Sequence, residues 1–507
     1  MMDSGIHIAG LPIGWVTTTL GEVSDLVRGV SYVKEESDNR PKEGHVPILR
    51  ANNIGVELSF EDLVYVPLHR VKDEQYIREG DILIAMSSGS KNLVGKAAQA
   101  KWGFCGGFGA FCGLVRASRL LEDRYVGLYL KTPSYREAIS RLSSGVNINN
   151  LKRDNIESLR LPLPPLGEQR RIVAKIEELF AKLDAGVDAL NKVKAQLRLY
   201  RQAVLRDAFN GTLTREWREA HKSELEPASA LLERIREERA KFPISGRSQK
   251  HQRISQHLPR LPNGWVWTTG DTIFPFVTSG SRGWAKYYSN NGSLFLRIGN
   301  LSYDSIRLDL SRVQKVQPPS GIEGTRTRVA VRDILISITG DIGMIALAPN
   351  SLGDAYVNQH IALARPISAV NAAYVAWFLA NPWGGRRQLA KLQRGATKTG
   401  IGLNDIRSLA IPLPPLPQQS QIVEEIERRF SMADQAEQIA ERAMAQGRQL
   451  RQTILKSAFE GRLVPQDPSD EPAEKLLQRI REERSQLERK GKTRPRKNRR
   501  TQQMRLM

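Results

Sequence analysis

The sequence offers little for building a framework held by metals or disulfides. It has 2 cysteines and 7 histidines among 507 residues. Cys105 and Cys112 cannot make a disulfide framework, or a zinc site unaided, and the histidines fall at no metal-ligand spacing. No apolar run approaches the ~18 residues that a membrane span needs. Met1 to Gly10 lacks the basic and apolar zones of a secretory signal. A reducing, cytoplasmic location is therefore expected. Acidic residues are also scarce: 54 against 76 basic ones, a net charge of +22 and a pI near 10.0. That balance points to a polyanionic partner, with nucleic acid ahead of a membrane surface. Part of the excess lies from Arg489 to Arg500, which reads as a disordered basic arm or a solubilising tail.

Catalytic motifs are missing too. Trp102-Gly-Phe-Cys-Gly-Gly-Phe-Gly109 superficially resembles the glycine-rich loop of a methyltransferase. No Asn/Asp-Pro-Pro-aromatic tetrapeptide accompanies it, and a glycine-bounded buried strand explains it better. Gly89 to Lys96 has one residue too many between its glycines for a phosphate loop, and Ala97 stands where Ser or Thr is needed.

Repetition is what the chain has in abundance. Leu161-Pro-Leu-Pro-Pro-Leu166 returns as Ile411-Pro-Leu-Pro-Pro-Leu416, and Ala208-Phe-Asn-Gly211 as Ala458-Phe-Glu-Gly461, both at an offset of 250. Leu11-Pro-Ile-Gly-Trp15 is matched by Leu261-Pro-Asn-Gly-Trp265. A repeat this long sets the architecture. After each proline segment the pattern predicts one long helix, stopped by Gly211 or Gly461. In the first, Ile172, Leu179, Gly186, Val193 and Tyr200 form one heptad line, and Ile176, Leu183, Leu190, Leu197 and Val204 the other. The second runs Ile422, Ile426, Ala433, Ala436, Ala440, Ala443, Gly447, Leu450 and Ile454, with Arg429 the one misfit. Bulky side chains on one seam and small ones on the other suit a close-packed antiparallel pair, about 65 Å long. The alternative is two independent amphipathic helices on separate cores.

Between each opening motif and its helix lie short β-rich runs bounded by Gly, Asn or Ser. Val46–Arg50, Asp81–Met86 and Phe111–Val115 serve in the first half; Leu294–Ile298, Asp333–Ile338 and His360–Ala364 serve in the second. A helix is expected over Tyr125–Arg141 and another over Ala373–Gln393. Landmarks align (Arg50 with Arg297, Asn53 with Asn300, Asp81 with Asp333, Gly145 with Gly395) while the residues around them differ. Shared scaffold with different loops suits one fold reading two targets. Short charged helices follow, Leu231–Arg239 and Leu476–Arg484, with Leu231, Leu232, Ile235 and Leu476, Leu477, Ile480 as their apolar stripes. The predicted order is a globule over 11–163, a long helix over 164–212, and a short helix with its linker over 213–258. A second globule over 259–413, a helix over 414–462, a short helix over 463–488 and a basic tail over 489–507 complete it. The fold class is α+β: two mixed α/β domains related by an internal pseudo-two-fold repeat.

These residues carry a resemblance. The repeated Pro-Leu-Pro-Pro-Leu-x-x-x-Gln with Ile-Val, the closing Ala-Phe-x-Gly-x-Leu and the openings Leu-Pro-x-Gly-Trp are similar to those of type I restriction-modification specificity subunits. Gly283-Trp-Ala-Lys-Tyr-Tyr288 leading to Arg297-Ile-Gly-Asn300 adds to the likeness, which covers about 11 to 484. It implies that the globules are target recognition domains, each reading one part of a bipartite, asymmetric double-stranded DNA sequence, with the helices as spacer. The implied partners are two methyltransferase (modification) subunits and, for cleavage, two restriction subunits. S-adenosylmethionine, ATP and magnesium would sit on those partners, with no cofactor or metal in this chain and no membrane association. Other readings are a stand-alone DNA methyltransferase or nuclease with duplicated binding halves, and a coiled-coil scaffold unrelated to DNA.

Candidate DNA contacts follow from polar loops, where amides and arginines can pair with base edges. In the first half these are Arg50, Asn52, Asn53, Ser88, Lys91, Asn92, Asn147 and Asn149. In the second they are Arg297, Asn300, Thr339, Asp341, Gln359, Arg394, Thr397, Lys398 and Thr399. Plain turn chemistry accounts for the same residues without DNA, and Arg50 and Arg297 also suit a scaffold role. The stripes of the short helices are candidates for docking partner subunits, or else they close onto the long helices.

Overall fold

A strand that contains proline cannot donate at every position, which confines it to a sheet edge. Accordingly Arg160–Leu163 pairs with the opening strand Val16–Thr19 in a two-stranded ribbon, and Ala410–Leu413 pairs with Val266–Thr269 in the same way. The carbonyls left free by the prolines are claimed by side chains. Gln169 donates to the carbonyl of Pro164 and Gln419 to that of Pro414, both at 2.9 Å. Tyr125 and Tyr374 donate their hydroxyls to Pro162 and Pro412, at 2.8 and 2.9 Å. The tryptophan of each opening motif reaches the first turn of the adjoining long helix: Trp15 donates to Glu168 and Trp265 to Gln418, each at 2.9 Å. Every one of these groups is buried, so leaving one unpaired would cost about 1–3 kcal/mol.

The computed structural model describes residues 10–88, 93–142, 149–242, 258–318, 321–395 and 399–492. Two compact units emerge. One comprises Met1–Leu190 with Arg442–Met507, the other Asn191–Glu441. Each of the 44-residue helices, Leu166–Phe209 and Leu416–Phe459, therefore contributes its beginning to one unit and its end to the other.

In the first unit an antiparallel sheet runs in the order Ser24–Arg28, Cys112–Ala117, Ile82–Ala85, Ala97–Gln99. In the second the order is Phe276–Ser279, Ile361–Arg365, Ile334–Ser337, Ile345–Leu347. The two are one topology built from different residues. The landmark aspartates lock it: Arg116 grips Asp81 at 2.8 and 2.6 Å, and Arg365 grips Asp333 at 2.7 and 2.8 Å, with both carboxylates buried. Glycine is needed where backbones touch. A Cβ at Gly29 would strike the carbonyl of Gly109, and one at Gly280 the carbonyl of Val357.

The helix ends explain why two separate motifs are repeated together. In the first unit Phe459 packs on Tyr125 at 4.8 Å, and Gly461, at φ +68°, lies against Pro12 of the opening motif. In the second, Phe209 packs on Tyr374 at 5.3 Å and Gly211, at φ +80°, lies against Pro262. The opening and closing motifs are mates.

Within each unit the two long-helix segments run antiparallel. Phe180 and Asp184 meet Arg451 in the first; Lys194 meets Glu441 at 2.7 Å, and Arg201 meets Asp434 at 2.7 Å, in the second. The line through Ile176, Leu183, Leu190, Leu197 and Val204 faces inward as expected, and so do Ile172, Ile422, Ile426, Ala433, Ala440 and Ile454. The companion line is corrected. It passes through Phe180, Val187, Lys194 and Arg201, and Leu179 is only half-buried beside it. Val193 and Leu450 are 39% and 48% exposed. A template of apolar residues passes over Lys194 and Arg201, whose aliphatic stems occupy the seam while their heads pair with carboxylates.

Two further expectations change. The helix over Tyr125–Arg141 is two helices, Asp123–Tyr129 and Pro133–Leu142; Ala373–Gln393 is likewise Ala372–Ala380 and Gly385–Lys391. Pro133 and Pro382 break them, since each disfavours helical backbone in the residue before it. The short charged helices span Ala228–Ala240 and Ala473–Lys492. Their stripes are not docking surfaces. Leu231, Leu232 and Ile235 are buried in the second unit's own core, and Leu476, Leu477 and Ile480 in the first unit's. The hydrophobic effect has already claimed these faces, which leaves charged ones outward.

Candidate nucleic-acid interface

The central strand of each unit ends where several polar loops converge. In the first unit Ser87–Ser88 follows Ile82–Ala85 and pairs with Asn149–Asn150. Leu151 donates its amide to Met86 at 2.8 Å, and Met86 donates to Phe111 at 2.8 Å. The second unit repeats this: Thr339 bridges Gly400, Ile401 donates to Ile338 at 3.0 Å, and Ile338 donates to His360 at 2.9 Å. Loops about 60 residues apart in sequence thus become one rim in each unit.

Among the sequence-derived candidates, Ser88 and Asn149 are brought together in the first rim. Thr339, Gln359, Arg394 and Thr399 gather in the second. Thr339 hydrogen-bonds His360 Nδ1 at 2.5 Å, and the Gln359 amide lies 3.1 Å from His360 Nε2. Thr399 accepts from the amide of Gly340 at 3.2 Å, and Arg394, largely exposed, pairs with Asp405. Asp341 is exposed and its carbonyl accepts from Ser337 at 2.5 Å. Lys91, Asn92, Asn147, Thr397 and Lys398 lie outside the described residues.

Asn53 and Asn300 are corrected to scaffold. Each is 2% exposed. Asn53 accepts from the amide of Arg50 at 2.9 Å and donates to Glu61 at 2.7 Å. Asn300 accepts from Arg297 at 2.9 Å and donates to Asp309 and Arg312 at 2.8 and 3.0 Å. An amide with its groups so engaged cannot also read a base. Asn52 is exposed. Arg50 is half-buried and donates to the carbonyl of Asp62 at 2.9 Å, whereas the Arg297 side chain is exposed. Beside Arg50, burial pushes the Tyr32 phenol above its ordinary pKa, and the guanidinium partly offsets this.

Chemically, each rim presents neutral hydrogen-bonding groups near arginines, the composition used for reading base edges and holding phosphates. Among the described residues no cluster of His, Cys, Asp and Glu is arranged to hold a metal, and no helix is long and apolar enough to cross a membrane.

Relatives decide the family. The model of the type I restriction modification DNA specificity domain matches residues 12–195 and 326–441. The EcoKI specificity subunit of Escherichia coli K12 is 31% identical over 493 residues, covering 94% of this chain and 96% of that one. The chain belongs to the type I restriction-modification specificity subunits. The StySPI specificity subunit of Salmonella potsdam is 30% identical, over 94% of this chain and 96% of its own. The fold agrees. A chain solved in work on complex assembly and conformational transition of the type I R-M system superposes with a TM-score of 0.63 at 19% identity, over 89% of this chain and 99% of that one. The HsdS subunit from Thermoanaerobacter tengcongensis gives 0.50 at 18% identity, over 91% and 100%. As a member of this family the chain supplies DNA sequence specificity. Sequence reasoning passed over Phe111 and His360 in this specificity subunit, the residues at the tip of each rim. Phe111 had been placed inside a strand, and only register against Ile361 reveals that the two are counterparts.

Proposed function

We propose that each rim reads one half of a bipartite, asymmetric DNA target, and that the chain carries no chemistry of its own. The observation that supports this reading is the same loop convergence built twice on one scaffold, with different residues at the tips. Methyl transfer and cleavage then fall to two modification and two restriction subunits, which hold S-adenosylmethionine, ATP and magnesium. The long helices set the gap between half-sites, and the excess of lysine and arginine holds the phosphates.

Exchanging residues 11–160 for the same stretch of a relative tests the proposal. Sites methylated by the assembled complex should change in one half only. A swap that alters both halves, or neither, overturns the modular reading. Methyl transfer to DNA by the purified chain without partner subunits overturns the non-catalytic one.

A further inference from the structure

The turn from Gly109 to Cys112, closed by the Cys112 amide donating to the Gly109 carbonyl at 2.9 Å, carries Phe111 at its third position. The side chain is 70% exposed, although Phe108 and Cys112 on either side of the turn are buried. An exposed aromatic is unremarkable by itself. Its placement is not. The Phe111 carbonyl accepts from both Met86 and Ser87, at 2.8 and 3.2 Å, which fixes the turn beside the paired Ser87–Ser88 and Asn149–Asn150 segments. In the second unit the corresponding turn is closed by Ile361 donating to Asn358 at 3.2 Å, and its third position is His360. One backbone device therefore presents an apolar ring in one rim and a hydrogen-bonding ring, held by Thr339 and Gln359, in the other.

We propose that Phe111 is a specificity-determining residue of the first rim, packing its ring against the 5-methyl group of a thymine in that half-site. This inference rests on the reading of the rims as DNA-recognising surfaces and adds which side chain discriminates. A phenyl ring has no donor or acceptor, so it cannot pair with a base edge. The thymine methyl is the one apolar group that the major groove displays, and apolar side chains recognise it by contact. A rigid turn with its carbonyl doubly bonded holds the ring in one place, which discrimination requires. His360, at the same position with two ring nitrogens, suits a base edge that offers a donor or acceptor instead.

The test uses the full chain assembled with modification subunits, and duplexes in which each thymine of the first half-site is replaced in turn by uracil. Wild type should bind one uracil duplex roughly fivefold or more weakly, in keeping with the 1–3 kcal/mol that a single specific contact contributes. Phe111→Ala should lose that sensitivity at the same position and methylate sites with another base there, with the second half-site unchanged. Trp102→Ala serves as control: Trp102 is 56% exposed and stacks on Phe60 beyond the opposite end of the Ile82–Ala85 strand. It should leave both readouts unaltered. If wild type is sequence-specific yet Phe111→Ala keeps the same site and the same uracil profile, the inference fails while the reading of the rims stands. If wild type itself shows no sequence preference, that reading fails first.

Discussion

At the level of single residues, one asymmetry between the repeats stands out. Gln418 and Glu168 both accept from their tryptophan, but Gln418 also donates to Thr214 at 3.0 Å, whereas Glu168 Oε1 is buried with no partner. Burial raises the Glu168 carboxyl above its ordinary pKa, and the Trp15 hydrogen bond only partly offsets this. A carboxyl whose folded pKa is raised favours the fold below its unfolded value and penalises it once pH exceeds the folded value. Glu168→Gln should therefore raise the melting temperature at pH 7 by a few degrees and bring little or no gain near pH 4. Melting curves at the two pH values check this, and an equal gain at both would refute it. The same scale shows what the sequence concealed. Asn53 and Asn300 align because they brace a turn, and a linear sequence does not distinguish an asparagine that braces from one that reads. Phe111 was hidden for the opposite reason: beside Cys112 and Leu114 it looks like core, and only its place in the turn exposes it.

At the level of elements, the long helices were legible because proline, glycine and a heptad rhythm mark their ends and faces. Half of the seam was not, since Lys194 and Arg201 sit in it as charged residues. Arg201 lies between Asp434 and Glu437 at 2.7 and 2.9 Å, and at an offset of 250 Arg451 lies on Phe180 with Asp184. Such register permits length changes only in whole heptads. Inserting seven residues after Leu190 and seven after Ala440 keeps inward positions inward; inserting four rotates them outward. The seven-residue pair should preserve assembly and lengthen the recognised gap by about three base pairs, from ~1.5 Å per helical residue and ~3.4 Å per base pair. Mapping methylated sites would show it. An unchanged gap in a folded, active variant would remove the helices from the role of ruler.

For the molecule as a whole, the repeat was readable but its closure was not, because nothing in a linear sequence says which motif of one copy meets which motif of the other. Ala473 donates its amide to Gly14 at 3.0 Å, Arg481 pairs with Glu22 at 3.0 Å, and Arg484 pairs with Asp25 at 3.1 Å. Leu476, Leu477 and Ile480 share a core with Leu20 and Val23. Burying each large aliphatic side chain contributes about 1.5–3 kcal/mol, so this segment supplies a sizeable share of the 5–15 kcal/mol that a typical domain has in hand. A premature stop at codon 470 should consequently loosen the part of the protein made first and spare the part made last. Protease digestion followed by mass mapping should find early cuts near residue 20 and late ones near residue 270. The reverse order would mean that the ring of contacts joining tail to head is dispensable. For anyone reading mutations in such a gene, damage at its end would then surface as an error in the opening word of the recognised DNA.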